Sequence, residues 1–326
     1  MSTSGMDQGV VENVFGQSYA ARLEMIIWLA SYSLLVYDYT CTLDKEVKYV
    51  WSCPWTSGLV LFYLNRYLPF IDIILFSQFA FNPSITVAAC CVIIPLSVWL
   101  TAIGVIISQM IIFLRTYAIW GRRRMIFWIL APTAAINFSF LLAFIAWKTF
   151  EPALGNFAVP TTSKQVPCRV SGGADNKLHS VGLLIAFLLN LVAEVVITIL
   201  TAIKAREHVQ KASSTWVTRL YGNGFIYCAC LLAITATNSV MSFVAPPSLK
   251  VAFLPLQRTL HSVFCNRVIF LILQHRDQMS EDTDTWQPQR RSTSYTDSAM
   301  DIFTTIQLDD TYDDEPVADE MGLSKV

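Results

Sequence analysis

The stretch IILFSQFAFNPSITVAACCVIIPLSVWLTAIGVIISQMIIFL, residues 73–114, runs for 42 residues without an Asp, Glu, Lys or Arg. A soluble domain carries a charge at roughly every fourth residue, whereas a helix needs only about 20 predominantly apolar residues to cross roughly 30 Å of hydrocarbon. Residues 220–249 form another uncharged run, of 30 residues. Each run holds at least one crossing. Across the 326 residues only 14% are charged and 54% are hydrophobic, so lipid is the solvent this composition suits. Nothing in it points to nucleic-acid binding.

Working outward from that stretch, seven apolar segments stand out, at about 21–41, 57–80, 86–114, 125–147, 180–203, 221–244 and 249–273. They read as helices, because backbone in lipid must satisfy its own hydrogen bonds and the segments are far too long for barrel strands. FNPS at 81–84, WGRRR at 120–124 and VAPPS at 244–248 supply the turn, charge and proline breaks between them. The expected fold is an all-α integral membrane bundle of seven helices over residues 21–273, after an extracellular segment, 1–20. That first segment lacks the cationic start of a signal peptide, so the first helix is expected to stay as a signal-anchor. Residues 274–326 carry 4 Lys and Arg against 13 Asp and Glu, and are rich in Ser and Thr. They read as a disordered cytoplasmic tail.

Orientation follows from the cations. Lys45, Lys48, Arg115, Arg122, Arg123, Arg124, Lys204, Arg206, Lys211 and Arg219 fall on one side of the seven segments. Lys148, Lys164, Arg169, Lys177 and Lys250 fall on the other, four of them in one long loop. The bias places the N-terminus outside and the C-terminus in the cytoplasm. Between the first two segments, TLDKEVKYVW at 42–51 repeats apolar residues at helical spacing. It suits either a short helix at headgroup level or an extension of the first helix ended by Pro54.

Charged residues inside the segments are costly and functional by default. LFYLNRYLPFIDIILF at 61–76 holds both Arg66 and Asp72. Counted at about 1.5 Å per residue, Arg66 lies roughly 13 Å from the inner face. Asp38, on the first helix, leans toward it and is the expected counter-ion, with Glu46 as the substitute. Asp72 and Arg258 lie at similar depth from the outer face, which predicts a second ion pair. Asn65, Glu194 and His261 are expected in the polar interior, with no counter-ion evident for Glu194. These residues serve either helix packing and switching or direct contact with a ligand or ion.

YDYTCTLDKEVKYVW at 37–51, followed by LFYLNRYLP at 61–69, resembles the N-terminal signature of a family of multi-pass membrane proteins abundant in mushroom-forming basidiomycetes. LRTYAIWGRRR at 114–124 is similar to a second stretch of that family. The matching residues are Tyr37, Asp38, Tyr39, Thr42, Leu43, Glu46, Trp51, Leu61, Phe62, Asn65, Arg66, Tyr67 and Pro69. The resemblance implies a seven-helix fungal membrane protein carrying a domain of unknown function, and supplies no activity.

Cys90, Cys91 and Cys168 lie on the outer side, so a disulfide from the top of the third helix to the long outer loop fits the topology. Cys90 precedes Arg115 by 25 residues, a placement similar to that in the G-protein-coupled receptor superfamily. Leu114 stands where that superfamily usually has an acid, and CNRVIF at 265–270 departs from its seventh helix. The four histidines are dispersed and there is no Gly-rich phosphate loop, so neither an enzyme nor a metal or other cofactor is expected. RRSTSY at 290–295 offers Ser292, Thr293 and Ser294 to a basophilic kinase. The functional expectation is receptor-like sensing at the plasma membrane. Arg115 and Arg122 to Arg124 would form the surface for a cytoplasmic partner such as a heterotrimeric G protein. A transporter or channel using Asp72, Glu194 and Arg258, and a membrane scaffold without a small ligand, are the alternatives.

Overall fold

The computed structural model describes residues 4–51, 56–82, 86–150, 177–211, 215–246 and 249–286. The described residues form α1 (Ser4–Lys45), α2 (Ser57–Phe81), α3 (Val87–Ile119), α4 (Arg124–Phe150), α5 (Lys177–Lys211), α6 (Thr215–Val244) and α7 (Leu254–Trp286). They contain no strand. Cys168 and the tail residues Ser292, Thr293 and Ser294 lie outside them.

Local chemistry sets the helix starts. Thr56 and Thr86 have extended backbones, and their hydroxyls accept from the N–H groups of Leu59 and Ala89, so threonine caps both α2 and α3. Gly121 and Arg122 have φ of 67° and 56°, a left-handed pair that turns the chain from α3 into α4. Helix α1 does not stop at Thr42. It continues through Lys45 into one π-helical turn, Glu46–Val50, closed by Trp51 N–H donating to the Glu46 carbonyl at 3.2 Å. Of the two forms open to 42–51, the extension is the one the backbone takes.

Six stretches are long and apolar enough to cross a membrane: Tyr19–Val50, Gly58–Gln78, Ala88–Ile119, Arg124–Phe150, Leu178–Glu207 and Gly224–Val244. By the length and composition of these helices the chain is an integral membrane protein. Seven crossings are expected from the sequence, and composition supports six. Helix α7 falls short because it carries Gln257, Arg258, Thr259, His261, Ser262 and Asn266, yet all six are buried. The polarity of these six faces other helices, while Arg267 on the same helix is exposed. Large apolar side chains such as Ile74, Val92, Trp128 and Phe243 are exposed on the outside of the bundle, the reverse of a soluble protein.

Helices α3 and α7 are central. Helix α3 packs on α2, α4, α5 and α7, while α7 packs on α1, α2, α3 and α6, and α5 and α6 form the most extensive pair. Phe62, Ile111, Ile269 and Phe270 join α2, α3 and α7 in the main apolar cluster. Asn82, at the end of α2, and Arg122, between α3 and α4, mark the two ends of the bundle.

Candidate functional site

Toward the Arg122 end, the chemistry is arranged around Arg66, which is 2% exposed. Its Nε donates to Glu46 Oε2 at 2.5 Å and its Nη2 donates to Thr42 Oγ1 at 2.9 Å. Tyr67 donates its hydroxyl proton to the other Glu46 oxygen at 2.6 Å. The guanidinium carbon sits 4.8 Å from the ring centre of Tyr39 and 5.2 Å from that of Phe270, within cation–π range of both. A charge otherwise worth several kcal/mol in lipid is thereby paired, hydrogen-bonded and boxed by aromatic faces. The expected Asp38–Arg66 pair does not form. Helix α1 packs chiefly on α7, so Asp38 instead accepts from Arg267 Nε at 2.7 Å. The π-turn carries Glu46 under Arg66 in its place.

Residues 27–71 match DUF6533, a family of unknown function. In this chain the matched segment runs from α1 into α2 and supplies Tyr39, Thr42, Glu46, Arg66 and Tyr67 to the clamp, and it also holds Asp38 and Asn65. No curated protein and no solved structure matches the chain.

Beyond the DUF6533 segment, toward the Asn82 end, Arg258 Nε lies 3.3 Å from Asp72 Oδ2, joining α7 to α2. Nη1 and Nη2 of Arg258 and Oδ1 of Asp72 meet no hydrogen-bond partner among the described residues. The guanidinium rests on α3 at Gly104, where a Cβ would collide with it.

Between these two ion pairs runs a polar network through the middle of the bundle. Asn65 of α2 donates to Asn266 Oδ1 at 3.0 Å and receives the Ser108 hydroxyl at 2.6 Å, while Ser262 donates to the Asn65 carbonyl at 2.7 Å. On the other side of α3, Gln109 accepts from Asn137 of α4 at 3.0 Å and donates to Asn190 of α5. Asn190 donates to Glu194 Oε1 at 3.0 Å, and that same oxygen lies 3.0 Å from His261 Nε2 of α7. Glu194, for which the sequence offers no counter-ion, therefore meets a histidine. A cavity of about 10 Å³, room for one water, opens beside the pair among Gln109, Thr198, Cys228 and Leu231.

A second cavity, about 30 Å³, continues toward the Arg122 end between α3, α6 and α7. Arg115 lines it with Tyr227, Phe264 and Cys265, and a Cβ on Gly224 would come within 2.8 Å of Arg115 Nη2. Arg115 is thus turned into the bundle against α6, whereas Arg122, Arg123 and Arg124 are exposed. Cys90 is disulfide-bonded and Cys91 is free. Among the described residues no three of His, Cys, Asp or Glu gather as a metal site requires.

Sequence reasoning misses Ser108, Gln109, Asn137, Asn190, Ser262 and Asn266, since uncharged polar residues are common enough in helices to draw no notice singly. The signal available is depth: all lie well inside the apolar segments. Asn137 appears in the sequence only as a glycosylation sequon, NFS, yet its side chain is 4% exposed and engaged in the core.

Proposed function

We propose that this chain is a receptor-like membrane sensor of the plasma membrane, a seven-helix bundle with its N-terminus outside and α7 as the seventh crossing. The observation that carries the reading is the buried polar network. It joins α2 and α7 to one side of α3 and α4, α5 and α7 to the other, and it ends at the Glu194–His261 pair, whose cavity adjoins the one lined by Arg115 of α3. Buried hydrogen bonds have discrete arrangements, so such a network is suited to two packings rather than a continuum, which a signal between two membrane faces requires. In this reading the exposed Arg122 to Arg124 turn and the α5–α6 hairpin receive a cytoplasmic partner, a heterotrimeric G protein being the first candidate. Crosslinking in native membranes followed by purification of the full chain tests it: the partner should accompany the wild type and be lost from an Arg122→Gln, Arg123→Gln, Arg124→Gln variant.

One observation favours a transporter as the second reading. Arg258, His261, Ser262 and Asn266 form a buried polar stripe along α7, reached by Asp72 and Glu194 from neighbouring helices. Solute flux into vesicles reconstituted with the pure protein, with no partner present, would support that reading over the first.

A further inference from the structure

Four carboxylates are buried among the described residues: Asp38, Glu46, Asp72 and Glu194, each 5% exposed or less. Three of them face arginines, Arg267, Arg66 and Arg258. An arginine in a protein keeps its proton, so those three negative charges are permanently matched. Glu194 alone faces a histidine, whose charge is conditional on a proton.

The surroundings supply no substitute. From α3 the side chain facing the pair is Gln109, and Arg115 lies further toward the Arg122 end beside Gly224. Helix α4 presents Asn137, which reaches the pair through Gln109, and α6 presents the thiol of Cys228. On α5 itself the neighbours are Asn190 and Thr198. On α7, Arg258 is turned to Asp72, and Cys265 donates to the Ser108 carbonyl at 3.6 Å. Among the described residues, the groups hydrogen-bonded to Glu194 are the neutral Asn190 and His261, and the nearest arginine, Arg115, stands beyond the Cys228 thiol. Glu194 Oε2 and His261 Nδ1 are both buried and have no partner among the described residues, so the pair keeps two open positions where a proton can be held.

We infer that the Glu194–His261 pair is a proton-binding site that links α5 to α7 in the core of the bundle. With one proton added to a carboxylate and neutral imidazole, the pair becomes a neutral ion pair across the two helices. Without it, the same pair holds one negative charge that no hydrogen-bonded cation matches, in a low-dielectric interior where such a charge is destabilising. Proton occupancy therefore biases the α5–α7 contact, and the adjoining cavity extends that bias toward Arg115 and α6. The site stands apart from the signalling reading, since a transporter or a receptor could equally use it.

Nuclear magnetic resonance of the full chain in detergent, with histidine labelled at the ring carbon between its two nitrogens, reads the site directly. His261 is identified among the four histidines by the signal lost in His261→Gln. The signal should show proton uptake as the pH is lowered, and in Glu194→Gln that uptake should require about tenfold or more proton, as loss of an adjacent carboxylate demands. Glu194→Asp, which keeps the charge but withdraws it by one methylene, should give a smaller change in the same direction and serves if the Gln variant does not fold. A His261 signal that shows no uptake, or uptake unchanged in whichever variant folds, overturns the inference.

Discussion

The guanidinium of Arg258 occupies the space that any side chain at position 104 would need: a Cβ placed on Gly104 would collide with its Cζ and Nη2. The head group cannot move aside freely, because its Nε is held by Asp72. Gly104→Ala should therefore destabilise the bundle by about 1–3 kcal/mol, the usual range for overpacking, seen as a lower unfolding temperature in detergent. In a background where Asp72 and Arg258 are both leucine the same change should cost much less. An equal loss in both backgrounds would separate Gly104 from Arg258.

The Arg66 clamp makes a second, sharper prediction. Breaking a buried pair by removing one member typically costs about 3–5 kcal/mol, because the survivor is left charged in low dielectric. Glu46→Leu and Arg66→Leu should each reduce the folded yield, and the two together should recover much of the loss. Asp38→Leu with Arg66→Leu should give no such recovery, since Asp38 pairs with Arg267. Recovery in the latter double variant instead would restore the Asp38–Arg66 pairing that sequence reasoning favours.

Cys90 carries a disulfide, and Cys41, Cys91, Cys228, Cys230 and Cys265 are free. Of the eight cysteines this leaves Cys53 and Cys168. Trp51 and Thr56, the described residues on either side of Cys53, lie at the Arg122 end of the bundle, whereas Cys90 is in the first turn of α3 at the Asn82 end. Mass spectrometry of the unreduced protein should therefore find a peptide joining Cys90 to Cys168, and a Cys90–Cys53 peptide would contradict the topology.

Orientation is open to direct labelling. In intact cells, single reporter cysteines in residues 1–15 and 150–178 should react with an impermeant reagent. Those in residues 205–215 and 280–320 should react only after permeabilisation. Labelling of the tail in intact cells would invert the assignment of faces and move Arg122 to Arg124 away from any cytoplasmic partner.

The membrane environment and the all-helical architecture were legible in the chain itself. Hydrocarbon imposes a length and an absence of charge on any segment that crosses it, and residues 73–114 satisfy both without reference to any other part of the chain. Depth along a helix is likewise a local quantity, fixed by rise per residue, so Asp72 and Arg258 could be placed at one level before their helices were brought together. Partner choice is a different kind of quantity. Whether Arg66 meets Asp38 or Glu46 depends on which helix lies beside α1 and on a π-turn that shifts side chains around the helix axis, and neither is written in the residues near Arg66. Glu194 shows the same division: its burial follows from its position in an apolar helix, but its meeting with His261, 67 residues further on, exists only once α3 and α6 bring the side chains of α5 and α7 together in the core. One-dimensional spacing determines what must be buried, and three-dimensional packing decides what each buried group faces, because a buried charge or amide takes the partner that neighbouring helices deliver.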